Sequence, residues 1–227
     1  MLRTPITLTA AGLAAVMALS ACGPVQMGSA AILDNNQIST ATLTAEVNNL
    51  NTAYTAAKGK IQLQFAQSQM PQEVLSWLLR FRVQDQLAAR EGITVTEAET
   101  QQAIASVNAQ AKQSGATLAN LAVANGLPPD QISELGRYQA IETQLVKRLN
   151  GGTLPTSSTT LQTLSAEYSK AQCLAAKSLT IKVNPQFGAL NYNQISVVPE
   201  TNTLSAPEGP PSPSPTGTAA PRLSPPC

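Results

Sequence analysis

Cys22, Cys173 and Cys227 are the only cysteines in the chain, and there is no histidine. A metal centre needs several His, Cys, Asp or Glu ligands at close spacing, and three cysteines this far apart do not supply them. A serine nucleophile needs a neighbouring base, and no G-x-S-x-G elbow occurs. Gly151-Gly152 runs into Thr-Leu-Pro rather than into a helix, so no phosphate cradle is encoded there. Glu97 and Glu99 have the spacing of an acid/base pair. In Thr96-Glu97-Ala98-Glu99 their ordinary role is to cap a helix and oppose its dipole. The sequence therefore carries no catalytic constellation and implies no cofactor.

Cys22 has a different chemistry. Residues 1–21 read as an export leader, with Arg3 as a thin basic region and Ile6, Leu8, Leu13, Val16, Met17 and Leu19 as an apolar stretch too short to span a bilayer. The stretch ends in Leu19-Ser20-Ala21-Cys22-Gly23-Pro24. Leu19-Ser20-Ala21-Cys22 resembles the lipobox of bacterial lipoproteins, which implies cleavage before Cys22 and acylation of its thiol. Each buried methylene contributes about 0.8 kcal/mol, so two or three chains make a lasting anchor. The expected location is the outer face of the plasma membrane.

Loss of residues 1–21 removes Arg3 and leaves 13 basic and 13 acidic side chains. No net field then gathers nucleic acid, and no polybasic run replaces it. About 205 residues remain, enough for one domain with tails. In an oxidising compartment Cys173 and Cys227 invite a disulfide. Because Cys227 closes a Pro-rich tail that must fold back to reach a partner, the favoured reading is Cys173 as a small buried apolar residue.

The elements that would position any site are mostly helical. Ser29-Ala30-Ala31-Ile32-Leu33 followed by Asp34-Asn35-Asn36 predicts a short strand entering a tight turn. Ser39 suits an N-cap, and Leu43, Val47, Leu50 and Tyr54 recur at helical spacing. Residues 58–70 alternate at Ile61, Leu63 and Phe65 and stay open between strand, linker and helix extension. From Pro71 to Arg90 the apolar residues cover most of a helix, which places it centrally. Gly92 and Ile93 supply its stop, and Thr96 to Glu99 starts a third helix with Ile104, Val107 and Ala111 on one stripe. A short fourth helix begins at Thr117 and stops at Asn125-Gly126. A long fifth opens at Pro128-Pro129-Asp130 and closes at Asn150-Gly151-Gly152.

Residues 153–163 read as a polar linker, followed by a sixth helix with Leu164, Tyr168, Ala171 and Leu174 or Ala175 on one face. Leu179 to Val183 alternates as a strand, and two short strands at opposite ends of a helical domain suggest mutual pairing. Residues 207–227 hold eight of the sixteen prolines, a composition that buries no core. Pro210-Pro211-Ser212-Pro213 reads as a spacer, and the Ser/Thr/Pro segments have the composition of O-glycosylated stretches. Trp77 and Phe81, one turn apart on the central helix, could line a groove for a client polypeptide. That helix is apolar on nearly every side, so the favoured reading is core.

The order of strand-turn-helix, central helix, LAAREGITVTEAE and LANLAVANGLPPDQISELGRYQAIETQLVKRL resembles the N-terminal chaperone domain of SurA/PrsA-type peptidyl-prolyl isomerases. ILDNNQIST at 32–40, LAAREGITVT at 87–96 and VNPQFG at 183–188 are similar to actinobacterial SurA-like lipoproteins. In that family a parvulin domain follows the fifth helix and catalyses isomerisation with paired histidines. Here only the linker at 150–163 occupies that place, and histidine is absent. The resemblance thus implies the chaperone fold without the isomerase.

The expected organisation is a leader at 1–21, a lipidated linker at 22–29, a SurA N-terminal-like helical domain at 30–198 and a tail at 199–227. The fold class is mainly α, with a short strand pair formed by the two ends of the domain. The expected function is that of a membrane-anchored, non-catalytic holdase whose partners are unfolded or newly exported polypeptides. The alternative is an adaptor lipoprotein docking one folded envelope partner.

Overall fold

The structure, a computed structural model, describes residues 28–57, 59–199 and Cys227. The expected leader, Cys22 and nearly all of the Pro-rich tail lie outside the described residues. The described chain is mainly α-helical with small antiparallel strand pairs, the SurA N-terminal-like arrangement that the sequence implies. Its elements are β1 (Ser29–Leu33), β2 (Asn36–Ser39), α1 (Thr40–Ala56), α2 (Met70–Arg90), α3 (Glu97–Gln113), α4 (Leu118–Ala124) and α5 (Ile132–Leu149), then α6 (Ser158–Ser178), β3 (Ile181–Val183), β4 (Ala189–Asn191) and β5 (Ser196–Val198).

The two ends of the domain meet. β1 pairs antiparallel with β3 in the register Ala31 to Val183, Ile32 to Lys182 and Leu33 to Ile181. Asp34 extends the join by accepting the Thr180 N–H on Oδ1 at 2.7 Å, while its own N–H donates to Thr180 O at 3.2 Å. Asp34 lies at φ 50, a left-handed position that its short polar side chain tolerates. β2 pairs on the other edge of β1, giving the order β2-β1-β3. The sequence does not show β2, because the few residues between the turn and the Ser39 cap are too short to display alternation.

α2 runs through the middle of the molecule, with Val74, Leu75, Leu79 and Val83 removed from solvent, and packs on α1, α5, α6 and β5. Its stop is the predicted one. Gly92 at φ 60 lets Ile93 N–H reach Ala88 O at 2.8 Å, and Ile93 is buried. Thr96 then caps α3: its hydroxyl accepts the Glu99 N–H at 3.3 Å, and Glu99 Oε2 accepts the Thr96 N–H at 2.8 Å.

The open segment takes the form of a connection, and two others differ from expectation. Residues 59–66 form neither strand nor helix extension; they cross the surface as a strap. Ile61 is buried in the core, Leu63 and Phe65 pack against it, and Gln64 N–H donates to Ala124 O at 2.9 Å. The polar linker is shorter than 153–163, because Ser157 accepts the Thr160 N–H at 3.1 Å and starts α6 at Ser158. Within α6 Ala175 faces the core and Leu174 is exposed. After β3 the chain forms a β4–β5 hairpin over α2, with Ile195 and Val197 buried and Val197 N–H donating to Ser76 Oγ at 2.8 Å.

Cys173 is buried as expected, yet it is not a free thiol. It forms a disulfide with Cys227, with Cα atoms 5.8 Å apart. The return of the tail is a smaller obstacle than its length and composition suggest. Loop-closure cost grows only logarithmically, about 0.6 kcal/mol per doubling of length, so a long Pro-rich segment is a small obstacle to pairing.

Candidate functional site

α5 and α6 form an antiparallel helical hairpin. α5 starts after Pro128, whose restricted backbone leads into a short 3₁₀ turn at Pro129–Gln131, and it stops where Gly152 N–H donates to Lys147 O at 2.7 Å. Arg148 ties its last turn to the end of α2 by bonding Glu91 O and facing the Glu91 carboxylate at 3.9 Å. Residues 150–157 cross to Ser157, which caps α6.

Between the two helices lies an open groove of about 360 Å³. Its α6 wall holds Leu161, Leu164 and Tyr168, spaced by three and four residues so that they share one face, with Gln162 and Ser165 beside them. Leu164 and Tyr168 are buried, whereas Leu161 is 50% exposed at the rim. Val146 and Glu142, one turn apart on α5, form the opposite wall. Burial pushes the Glu142 carboxyl above its ordinary range. Among the described residues no hydrogen bond or ion pair reaches that carboxylate.

The groove floor is fixed by a polar network between α2, α5 and α6. Tyr168 Oη donates to Gln84 Oε1 at 3.1 Å, and Gln84 is 1% exposed. Gln172 Nε2 lies 2.7 Å from both Tyr138 Oη and Tyr168 Oη and 3.0 Å from Gln84 Oε1. Gln84 Nε2 in turn donates to Tyr138 O at 3.3 Å. Desolvation, followed by the neighbouring Tyr138 and Glu142, raises the Tyr168 phenol far above its usual value, so it remains a neutral donor. A network joined on this many sides holds three helices in one arrangement.

Trp77 and Phe81 stand behind this floor. Phe81 is 6% exposed in a cluster with Ala122 and Leu127, and its ring meets Tyr138 edge-on at 6.2 Å. Trp77 is half-buried, donates from Nε1 to Asn125 O at 2.9 Å and carries Arg80 over its ring at 5.0 Å. Their contacts join α2 to α4 and α5. Glu97 and Glu99 do not converge on a common point: Glu97 accepts from Gln101 at 2.8 Å, and Glu99 accepts from Thr96 and from Gln144 Nε2 at 2.9 Å.

Glu142 and Leu161 are not among the residues that the sequence singles out. Leu161 fell inside the presumed linker, although Leu161-x-x-Leu164-x-x-x-Tyr168 continues the α6 stripe upstream and could have revealed it. Glu142 sits beside the core residue Ile141 and gives no signal by residue type alone.

A second recess, of about 280 Å³, flanks the other side of α5 against α3, with Leu154 52% exposed at its edge. A third, near Arg82 and Asp85, is smaller and polar. Among the described residues there is no group of three His, Cys, Asp or Glu side chains that could hold a metal ion, and no helix is long and apolar enough to cross a membrane.

The sequence profile of the SurA-like N-terminal domain family matches residues 3–146, from before β1 through most of α5. No curated protein and no solved structure matches the chain.

Proposed function

The chain belongs to the SurA-like N-terminal domain family, a family of chaperone type, and from that premise we propose that it is a non-catalytic holdase taking apolar segments of unfolded or newly exported polypeptides into the α5–α6 groove. The observation that carries this reading is the groove itself, with Leu161 half-exposed over buried Leu164 and Tyr168. Apolar surface left open beside a rigid floor is suited to contacts that ask for greasiness rather than for one sequence. Isomerase activity is not part of the proposal, since the chain has neither histidine nor a parvulin domain between α5 and α6.

Anchoring belongs to the same proposal. Acylation of Cys22 would hold the domain on the outer face of the cell membrane, where clients emerge. A tethered binder works at high effective concentration, so each contact can stay weak. Cys22→Ala should then give unprocessed or shed protein; an unchanged membrane fraction would remove Cys22 from the account.

Suppression of aggregation tests the central claim. The purified chain should slow the aggregation of several unrelated unfolded clients, and Leu161→Lys should weaken that protection without unfolding the domain. Protection of no client would end the holdase reading. Binding to one folded envelope protein and to no member of a peptide array would favour the adaptor alternative.

A further inference from the structure

We infer that the α5–α6 groove selects client segments in which a lysine or arginine stands among apolar residues, with Glu142 receiving the cation; this rests on the holdase reading of the same groove. The walls carry Val146 on one side and Leu161 and Leu164 on the other, with the uncharged polar residues Gln162 and Ser165 beside the leucines. Among the described residues Glu142 is the one carboxylate lining this recess, and no basic side chain lines it.

No cation stands one turn away on α5 either. The positions three and four residues from Glu142 are Tyr138, Gln139, Leu145 and Val146. Elsewhere on α5 the cation Arg137 is turned away from the groove and pairs with Asp85 of α2 at 3.0 Å. A half-buried carboxylate with no counter-charge among the described residues is partly stripped of water, and a ligand that brings the opposite charge offsets that cost. The long stem of lysine or arginine can lie along Leu161 while its head reaches inward. An occupant with an apolar residue for the rim and a cation for Glu142 therefore complements both features. Glutamate at the same place in the client would meet a like charge and be rejected.

The test uses the full chain and three fluorescent peptides of one leucine-rich sequence that differ only in a central Lys, Gln or Glu. The Lys peptide should bind about tenfold tighter than the Gln peptide, as expected for a hydrogen bond to a charged group. The Glu peptide should bind weakest. Glu142→Gln should erase the Lys preference over the Gln peptide and leave the fold intact by circular dichroism. A Lys preference surviving Glu142→Gln, or equal binding of all three peptides by the wild type, would overturn the inference while leaving the holdase reading in place. Binding of none of the peptides would take both down. Arg222-Leu223 of the chain's own tail has the same chemistry. A gain in Lys-peptide affinity on Arg222→Gln would assign the groove to the tail and overturn its assignment to clients.

Discussion

Glu142 and Glu99 respond to pH in opposite senses, because burial acts on one and hydrogen bonding on the other. Desolvation raises Glu142 above the ordinary value of 4.5, so the folded chain holds that proton more tightly than the unfolded chain. Its contribution is a penalty at neutral pH that lifts as pH falls through the raised value. Glu142→Gln should therefore raise the thermal midpoint at pH 7.5, and the gain should shrink toward pH 5. A gain that grows on acidification would contradict this. Glu46 is raised too, first by desolvation and then by Asp130 beside it, and adds a penalty of the same sign. Glu99 is lowered, chiefly by the Thr96 backbone N–H, so its stabilising effect is present above 4.5 and fades as pH drops through the depressed value. Within the buried network, Tyr168→Phe deletes a donor to Gln84 and one neighbour of Gln172. It should cost about 1–2 kcal/mol in urea denaturation with an unchanged m-value. The spacing places Tyr168 on one face of the sixth helix; its hydroxyl meets Gln84 of α2 and Gln172, which Tyr138 of α5 also joins, and spacing along α6 cannot show the partners on other helices.

Helix boundaries set by local chemistry were readable, and those set by distant packing were not. Gly92, Ile93 and Thr96 stop one helix and start the next through bonds within a few residues, so the α2–α3 junction stands as the sequence describes it. Thr96→Ala should cost about 1 kcal/mol of stability, measured by chemical denaturation. The strap at 59–66 bonds to α4 and the β4–β5 hairpin leans on α2, and neither dependence leaves a mark in its own segment. Ser157 is one of several Ser and Thr residues in the presumed linker, any of which could have been the cap of α6. α3 and α5 pack closely at Gly136, where an added Cβ would fall inside the Ile104 side chain and 3.0 Å from Thr100 O. Gly136→Ala should force the pair apart, at about 1–3 kcal/mol and with faster amide exchange along α3.

For the molecule as a whole, the Cys173–Cys227 bond is the longest covalent constraint outside the backbone, spanning 54 residues. The chain-entropy account of such a ring gives about 4 kcal/mol, so Cys227→Ser should lower stability by up to that amount. Dithiothreitol should reproduce the loss in the wild type and have no effect on the variant. The sequence supplied both thiols but not their union, since burial of Cys173 fits a free or a bonded sulfur equally. The joining of β1 to β3 was legible because each is a short alternating run in an otherwise helical domain. That join has a temporal side. Leu33 and its partner Ile181 stand almost the whole domain apart, and a polypeptide delivered from its amino end exposes the first long before the second arrives. Until then β1 has β2 alone beside it, and its other edge stays vacant. The β1–β3 join is thus sealed only when delivery is almost over, which makes residues 181–183 the clasp.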